Sequence, residues 1–177
     1  MEQELSDGEV LSLIDQVSDM GVPAVTFSGG EPMMRSGLLH FVSRARAKSL
    51  AVTLLTTGSL VTAETAACLA QEQVRVKVSL DGVTPETHDS LRSQGAFAAA
   101  LRGIRLLQSA DIRDLVVQYS VHRENMQEIS RLPEFLKSIG VRNLVVGLVK
   151  PAGRAWAGRS RTPHFSSRRR WRPKPGR

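Results

Sequence analysis

Thiols are nearly missing from this 177-residue chain: it has one cysteine, Cys68. A lone cysteine excludes an internal disulfide and cannot by itself hold an iron–sulfur cluster. It lies in Ala66-Ala67-Cys68-Leu69-Ala70 and reads as a small, buried apolar residue of a helix. Long hydrophobic runs are also lacking; none approaches the ~18 residues that span a bilayer. The start, Met1-Glu2-Gln3-Glu4, is acidic and has no apolar signal segment. A soluble, cytoplasmic protein with no membrane partner is expected. Acid is missing from one stretch alone. Residues 151–177 contain nine basic side chains and no Asp or Glu, so the overall net charge of +7 is misleading. Residues 1–150 carry 15 basic against 17 acidic groups, a net of −2.

What the chain has is alternation. Apolar, β-branched runs at Val22–Ser28, Ala51–Thr57, Val74–Leu80, Asp114–Val121 and Val141–Val149 predict strands, several continuous enough to be buried on both faces. Helical stripes separate them. Ser6-Asp7-Gly8-Glu9 is a capping box opening Val10, Leu13, Ile14, Val17 and Met20, with Gly21 placed to end that helix. Leu38, Leu39, Val42 and Ala45 form a second stripe, and Thr62 caps a third helix. Thr84-Pro85-Glu86 is an N-cap, an N1 proline and a first-turn acid. Phe97, Leu101, Ile104 and Leu107 mark the next helix. Ile129, Leu132, Leu136 and Ile139 mark the last, which Pro133 should kink or restart. The order α-β-α-β-α-β-α-β-α-β implies an α/β fold with a parallel sheet and right-handed crossovers. Starting on a helix suggests that a preceding strand is missing.

In such folds ligands bind at the carboxyl ends of the strands. Polar and small residues gather there: Ser28-Gly29-Gly30-Glu31-Pro32, Thr56-Thr57-Gly58, Ser79-Leu80-Asp81-Gly82, Tyr119-Ser120-Val121-His122 with Asn125, and Val149-Lys150-Pro151. The glycine pair frees the backbone to turn and to present its N–H groups. Glu31 sets a carboxylate beside those donors, a combination suited to an amino-acid head group. Other readings stay open. Ser79 and Asp81 serve either a polar ligand or the cap of the Thr84 helix. His122 is either a base or a satisfied histidine, and Lys150 either a ligand group or a solvated rim charge. For Asp89 and Arg92, a surface pair on their short helix is one of two open readings.

Together these segments resemble the radical S-adenosylmethionine (radical SAM) enzymes over residues 5–155. The resemblance rests on Val25-Thr26-Phe27-Ser28-Gly29-Gly30-Glu31-Pro32, Leu55-Thr56-Thr57-Gly58-Ser59-Leu60, and Val78-Ser79-Leu80-Asp81-Gly82 followed by Thr87-His88-Asp89-Ser90-Leu91-Arg92. Gly95, Phe97, Gly140-Val141 and Pro151-Ala152-Gly153-Arg154-Ala155 extend it. The nearest branch modifies peptides or builds cofactors. The resemblance implies a partial (β/α)6 barrel. It also implies a [4Fe–4S] cluster, S-adenosylmethionine, and an electron donor such as a flavodoxin or ferredoxin. Reductive cleavage would give a 5′-deoxyadenosyl radical that abstracts hydrogen from a peptide or small-molecule substrate. Gly29, Gly30 and Glu31 would line the methionine part, flanked by Ser28, Pro32 and Thr57. Ser79 with Asp81 would approach the ribose, and Tyr119 and Val146 the adenine.

The chain departs from the family pattern. Its Cys-x3-Cys-x2-Cys loop is absent from these residues, and Thr57 stands where asparagine is usual. The expectation is an incomplete core over 1–155, inactive by itself, with a disordered arginine-rich tail over 156–177. Two further readings remain. One is a non-catalytic S-adenosylmethionine- or nucleotide-binding remnant. The other is a nucleic-acid binder acting through the tail, with salt-dependent phosphate contacts and stacking by Phe165 and Trp171. The body has no basic stripe, which disfavours the last.

Overall fold

A computed structural model of the chain describes residues 4–148. The expectations for Lys150, Pro151, Arg154, Ala155 and the arginine-rich tail lie outside the described residues. Helix α1 (Asp7–Asp19) leads into strand β1 (Ala24–Phe27), followed by α2 (Leu38–Ala47), β2 (Ala51–Thr56), α3 (Ala63–Gln71) and β3 (Arg75–Ser79). Then come α4 (Pro85–Leu91), α5 (Ala96–Ser109), β4 (Leu115–Val121), α6 (Leu132–Ser138) and β5 (Asn143–Leu148). The five strands form one all-parallel sheet whose spatial order is their chain order.

The local signals act as the sequence predicts. Ser6 and Glu9 form a reciprocal capping box on α1, Thr62 caps α3, and Thr84 with Pro85 opens α4. These caps satisfy N–H groups that the first turn of any helix leaves unpaired. The segment before Pro133 is a 3-10 helix (Met126–Arg131), and α6 restarts with Pro133 in its first turn. Because that segment is 3-10, the α-periodic stripe fails at its start: Ile129 is exposed, whereas Leu132 and Leu136 are buried.

The core lies between the sheet and its helices. Val52, Leu54, Val76, Val78 and Val117 meet Val42, Ala45, Leu69, Ala100, Ile104 and Leu107 from α2, α3 and α5. Burying one such side chain stabilises by about 1.5–3 kcal/mol. Burial alternates along β2 and β3, so one face is packed and the other more open. This corrects the expectation of strands buried on both faces. The open face carries Thr53, Leu55, Lys77, Ser79, Gln118 and Ser120, two residues apart along each strand. Strand β5 is exposed throughout. Two more expectations fail. Cys68 is exposed, because Ala66 and Leu69 are the residues α3 turns inward. Leu13 and Met20 of the α1 stripe are exposed while Ile14 is buried.

Candidate functional site

The carboxyl ends of β1, β2 and β3 converge, and one carboxylate joins the first two. Glu31 caps the 3-10 turn Pro32–Met34 by accepting from Met33 N at 3.1 Å. The same oxygen accepts from Thr56 Oγ1 at 2.8 Å. Its other oxygen accepts from Thr57 N at 2.7 Å and Thr57 Oγ1 at 2.6 Å. Thr56 Oγ1 in turn accepts from Gly58 N at 3.0 Å. Four donors therefore saturate Glu31. Sequence reasoning offered this carboxylate to a ligand; the structure gives it to the protein, where it clamps the glycine turn to the end of β2.

The turn itself is open. Ser28, Gly29 and Gly30 are exposed, and Gly29 has φ 141°, a conformation that L side chains rarely adopt. A Cβ added at Gly29 or Gly30 would meet nothing within 4 Å. The space before these backbone groups is not filled by the described residues.

Asp81 is the second organiser. It is 2% exposed. Oδ2 accepts from Arg92 Nε at 2.7 Å, and Oδ1 from Ser120 N at 3.1 Å. Its N–H donates to His88 Nδ1 at 3.0 Å, and its carbonyl accepts from Asn125 Nδ2 at 2.9 Å. One residue thus links the ends of β3 and β4, helix α4 and the Asn125 loop. The expected ribose contact by the Asp81 carboxylate is corrected, since both oxygens are engaged within the chain. The expected Asp89–Arg92 pair is also corrected: Arg92 turns to Asp81, and Asp89 accepts from Gly95 N at 2.7 Å and Phe97 N at 2.8 Å. Those bonds, chiefly that from Phe97, hold the Asp89 carboxyl below its usual pKa.

Tyr119 is fully buried with Val83, Val121 and Leu132 on the helix side, and its hydroxyl donates to Asn125 O at 3.1 Å. Burial drives its pKa far up. Its ring is a packing group and does not face a ligand. Val146 is its register partner on β5 and is 48% exposed. His122 N donates to Asn125 Oδ1 at 2.6 Å, while His122 Nδ1 is buried with no partner among the described residues.

Between the ends of β2 and β3 and the α4–α5 connection lies a cleft of about 370 Å³. Thr57, Ser59, Ser79, His88, Arg92 and the loop Ser93–Ala96 line it. Thr57 and Ser79 were among the predicted residues; Arg92 and His88 were not assigned to a ligand. They stand four apart, His88 on α4 and Arg92 at its C-cap, a spacing that could have revealed them. The cleft offers one guanidinium, several hydroxyls and a neutral imidazole, and no carboxylate is in its lining. It is suited to a ligand with an anionic group and polar hydroxyls. Close packing fixes one wall, because a Cβ at Gly103 would come within 2.2 Å of Gly58 O, so α5 lies directly on the β2 loop.

Comparison with known proteins agrees with this fold. The family model "Radical SAM superfamily" matches residues 1–136. An AdoMet-dependent heme synthase of Methanosarcina barkeri is 35% identical over 153 residues, covering 85% of this chain and 44% of that protein. The mycofactocin maturase MftC of Mycolicibacterium smegmatis is 33% identical over 153 residues, covering 86% of this chain and 39% of that protein. The chain thus spans about two fifths of the length of these curated relatives. Among solved structures, anSMEcpe with bound AdoMet superposes with a TM-score of 0.71 at 17% identity over 85% of this chain and 44% of that one. Streptococcus suis SuiB gives 0.75 at 14% identity over 87% and 36%. At such identities the likeness shows the fold, a partial barrel.

The family binds S-adenosylmethionine and a [4Fe–4S] cluster. Cluster iron is held by thiolates. The sole cysteine of residues 1–177 is Cys68, exposed on α3 and outside the cleft lining. Among the described residues no three His, Cys, Asp or Glu side chains stand close enough to hold a metal ion. These residues do not fit the cluster, and no chemical step below passes through it.

Proposed function

This chain belongs to the radical SAM superfamily, and from that premise we propose that its strand-end cleft binds S-adenosylmethionine, with residues 1–155 as the core. The observation carrying this reading is the juxtaposition of Thr57, Ser79 and Arg92 in one cleft beside an open glycine turn. Its volume falls within the range, about 300–1,000 Å³, typical of small-molecule sites. The Ser28–Gly30 backbone approaches the methionine end, and the Arg92 guanidinium, held by Asp81, supplies the positive charge for its carboxylate. Ser79 and Thr57 serve the sugar and sulfonium region, and the strand ends at Tyr119 and Val146 the base. Glu31, Pro32 and Asp81 position these groups rather than touch the ligand.

The family activity is S-adenosylmethionine cleavage. The relatives are named for heme synthesis and mycofactocin maturation, and SuiB has been solved with its precursor peptide SuiA. We infer that the corresponding reaction here is hydrogen abstraction from a peptide or cofactor precursor in the cytoplasm, with a small electron-transfer protein as reductant. Among the described residues, no helix is long and apolar enough to cross a membrane.

A second reading is favoured by the thiol count. In that reading the chain, whose one cysteine is Cys68, binds S-adenosylmethionine without cleaving it. The two separate in one experiment on the full chain: iron and sulfide content after anaerobic reconstitution, then equilibrium binding of S-adenosylmethionine. Binding without iron, weakened in Arg92→Ala, supports a binding module. Stoichiometric cluster with release of 5′-deoxyadenosine restores the catalytic reading. Failure to bind S-adenosylmethionine in either state overturns both.

A further inference from the structure

The cleft contains a histidine that neither the predicted site nor its mechanism uses. His88 is 2% exposed, yet it lines the cleft. Its Nδ1 accepts the Asp81 N–H at 3.0 Å. An imidazole nitrogen that accepts a hydrogen bond carries no proton, so the proton of the neutral ring sits on Nε2. Among the described residues nothing accepts from Nε2, and Nε2 is not among the buried atoms left without a partner, a state found only at His122 Nδ1. The space that His88 borders among the described residues is the cleft. Phe97, 5.8 Å away between ring centroids, closes the other side of the ring.

We propose that His88 is a ligand-positioning residue, locked by the Asp81 backbone as the neutral Nε2–H tautomer and donating that hydrogen bond to an acceptor of the molecule in the cleft. The inference rests on the reading that this molecule is S-adenosylmethionine. Protonation of His88 would place an N–H at Nδ1 against the Asp81 N–H, breaking the bond that orients the ring. The charged groups facing it are Asp81, on the β3 loop, Asp89, on its own helix, and Arg92, at that helix's C-cap; α5 presents only the Phe97 ring. Burial, opposed by Asp81 and Asp89 and aided by Arg92, lowers the His88 pKa from its ordinary value of about 6.5. Ligand binding should therefore be constant above pH 6.5 and decline below it.

The test uses ¹⁵N-histidine NMR and S-adenosylmethionine titration on the full chain. Of the four histidines, His88→Asn assigns the signal, and its amide oxygen preserves an acceptor for Asp81 N while removing the Nε2 donor. The expected result has three parts: an Nε2–H tautomer titrating below pH 6.5, a shift of its Nε2 resonance on saturation with S-adenosylmethionine, and binding by His88→Asn about tenfold weaker at pH 7.5 without the low-pH decline. His88→Gln, which reaches toward the cleft but not to Asp81, should bind within about threefold of the wild type if it folds. An Nδ1–H tautomer, an unshifted resonance in the saturated protein, or wild-type affinity in His88→Asn would each overturn the proposal. Absence of S-adenosylmethionine binding by the wild type overturns the broader reading and His88's ligand role with it. The tautomer measurement, made without ligand, still shows which of the two premises failed.

Discussion

Two loops at the strand ends look equally functional in sequence and are built in opposite ways. The Ser28–Gly30 turn after β1 is exposed, and its glycines face space that the described residues leave unfilled. The Leu80–Val83 turn after β3 is buried, and its polar groups are committed to Arg92, His88, Ser120, Asn125 and Glu128. The first is a surface offered to something else, and the second a frame. A strand-end acid therefore does not mark ligand contact unless its oxygens are left unpartnered, and here those of Asp81 and Glu31 are not.

Breaking the frame should have the largest effect. Asp81→Ala strands Ser120 N–H and leaves Arg92 without its partner. Because Arg92 is one-third exposed, a loss near the low end for a broken buried pair is expected, about 3 kcal/mol in a urea titration, together with loss of S-adenosylmethionine binding. Gly103→Ala follows. Its methyl would collide with Gly58 O, displacing α5 and the Thr57–Ser59 wall at a cost of about 2 kcal/mol, read as a lower thermal midpoint. Thr56→Val leaves the buried Gly58 N–H unsatisfied and leaves that Glu31 oxygen with the Met33 N–H alone, for about 1–2 kcal/mol. The smallest stability change tests the other loop. Gly30→Ala meets no neighbour and should stay within about 0.5 kcal/mol of the wild type, while S-adenosylmethionine affinity falls because the methyl occupies ligand space. A Gly30→Ala protein that binds normally would erase the contrast between the loops.

Acid sharpens the contrast through His88. A pKa lower in the folded than in the unfolded state means that the unfolded chain binds more protons at low pH. The stability gained by a neutral His88 is complete above about pH 6.5 and is lost progressively as pH falls toward the folded value. His88→Asn should flatten this part of the pH–stability curve.

Much of the fold was legible because its signals are local. The Ser6, Thr62 and Thr84 caps and the apolar strands specify elements through neighbours a few residues away. The parallel sheet follows from their alternation. What was not legible depends on partners far along the chain. Glu31 meets Thr56 and Thr57 across 25 and 26 positions, and Asp81 meets Ser120 across 39. No periodicity reports that a carboxylate is already used. Tyr119 was misassigned for a related reason: strand parity sends its ring to the helix side, and parity can be judged only once the packed face is known. The openness of the glycine turn and the place of Thr57 and Ser79 in the cleft lining follow from small and polar residues set just past a strand end.

The sheet's spatial order has a consequence for how the molecule is made. Each strand lies beside its predecessor in the chain, and no pairing in the sheet joins residues further apart than Val76 and Leu115, 39 positions. A chain emerging from the ribosome can therefore dock every new βα unit onto an edge that already exists, without waiting for a distant segment. Synthesis and assembly can proceed in the same direction, one strand at a time.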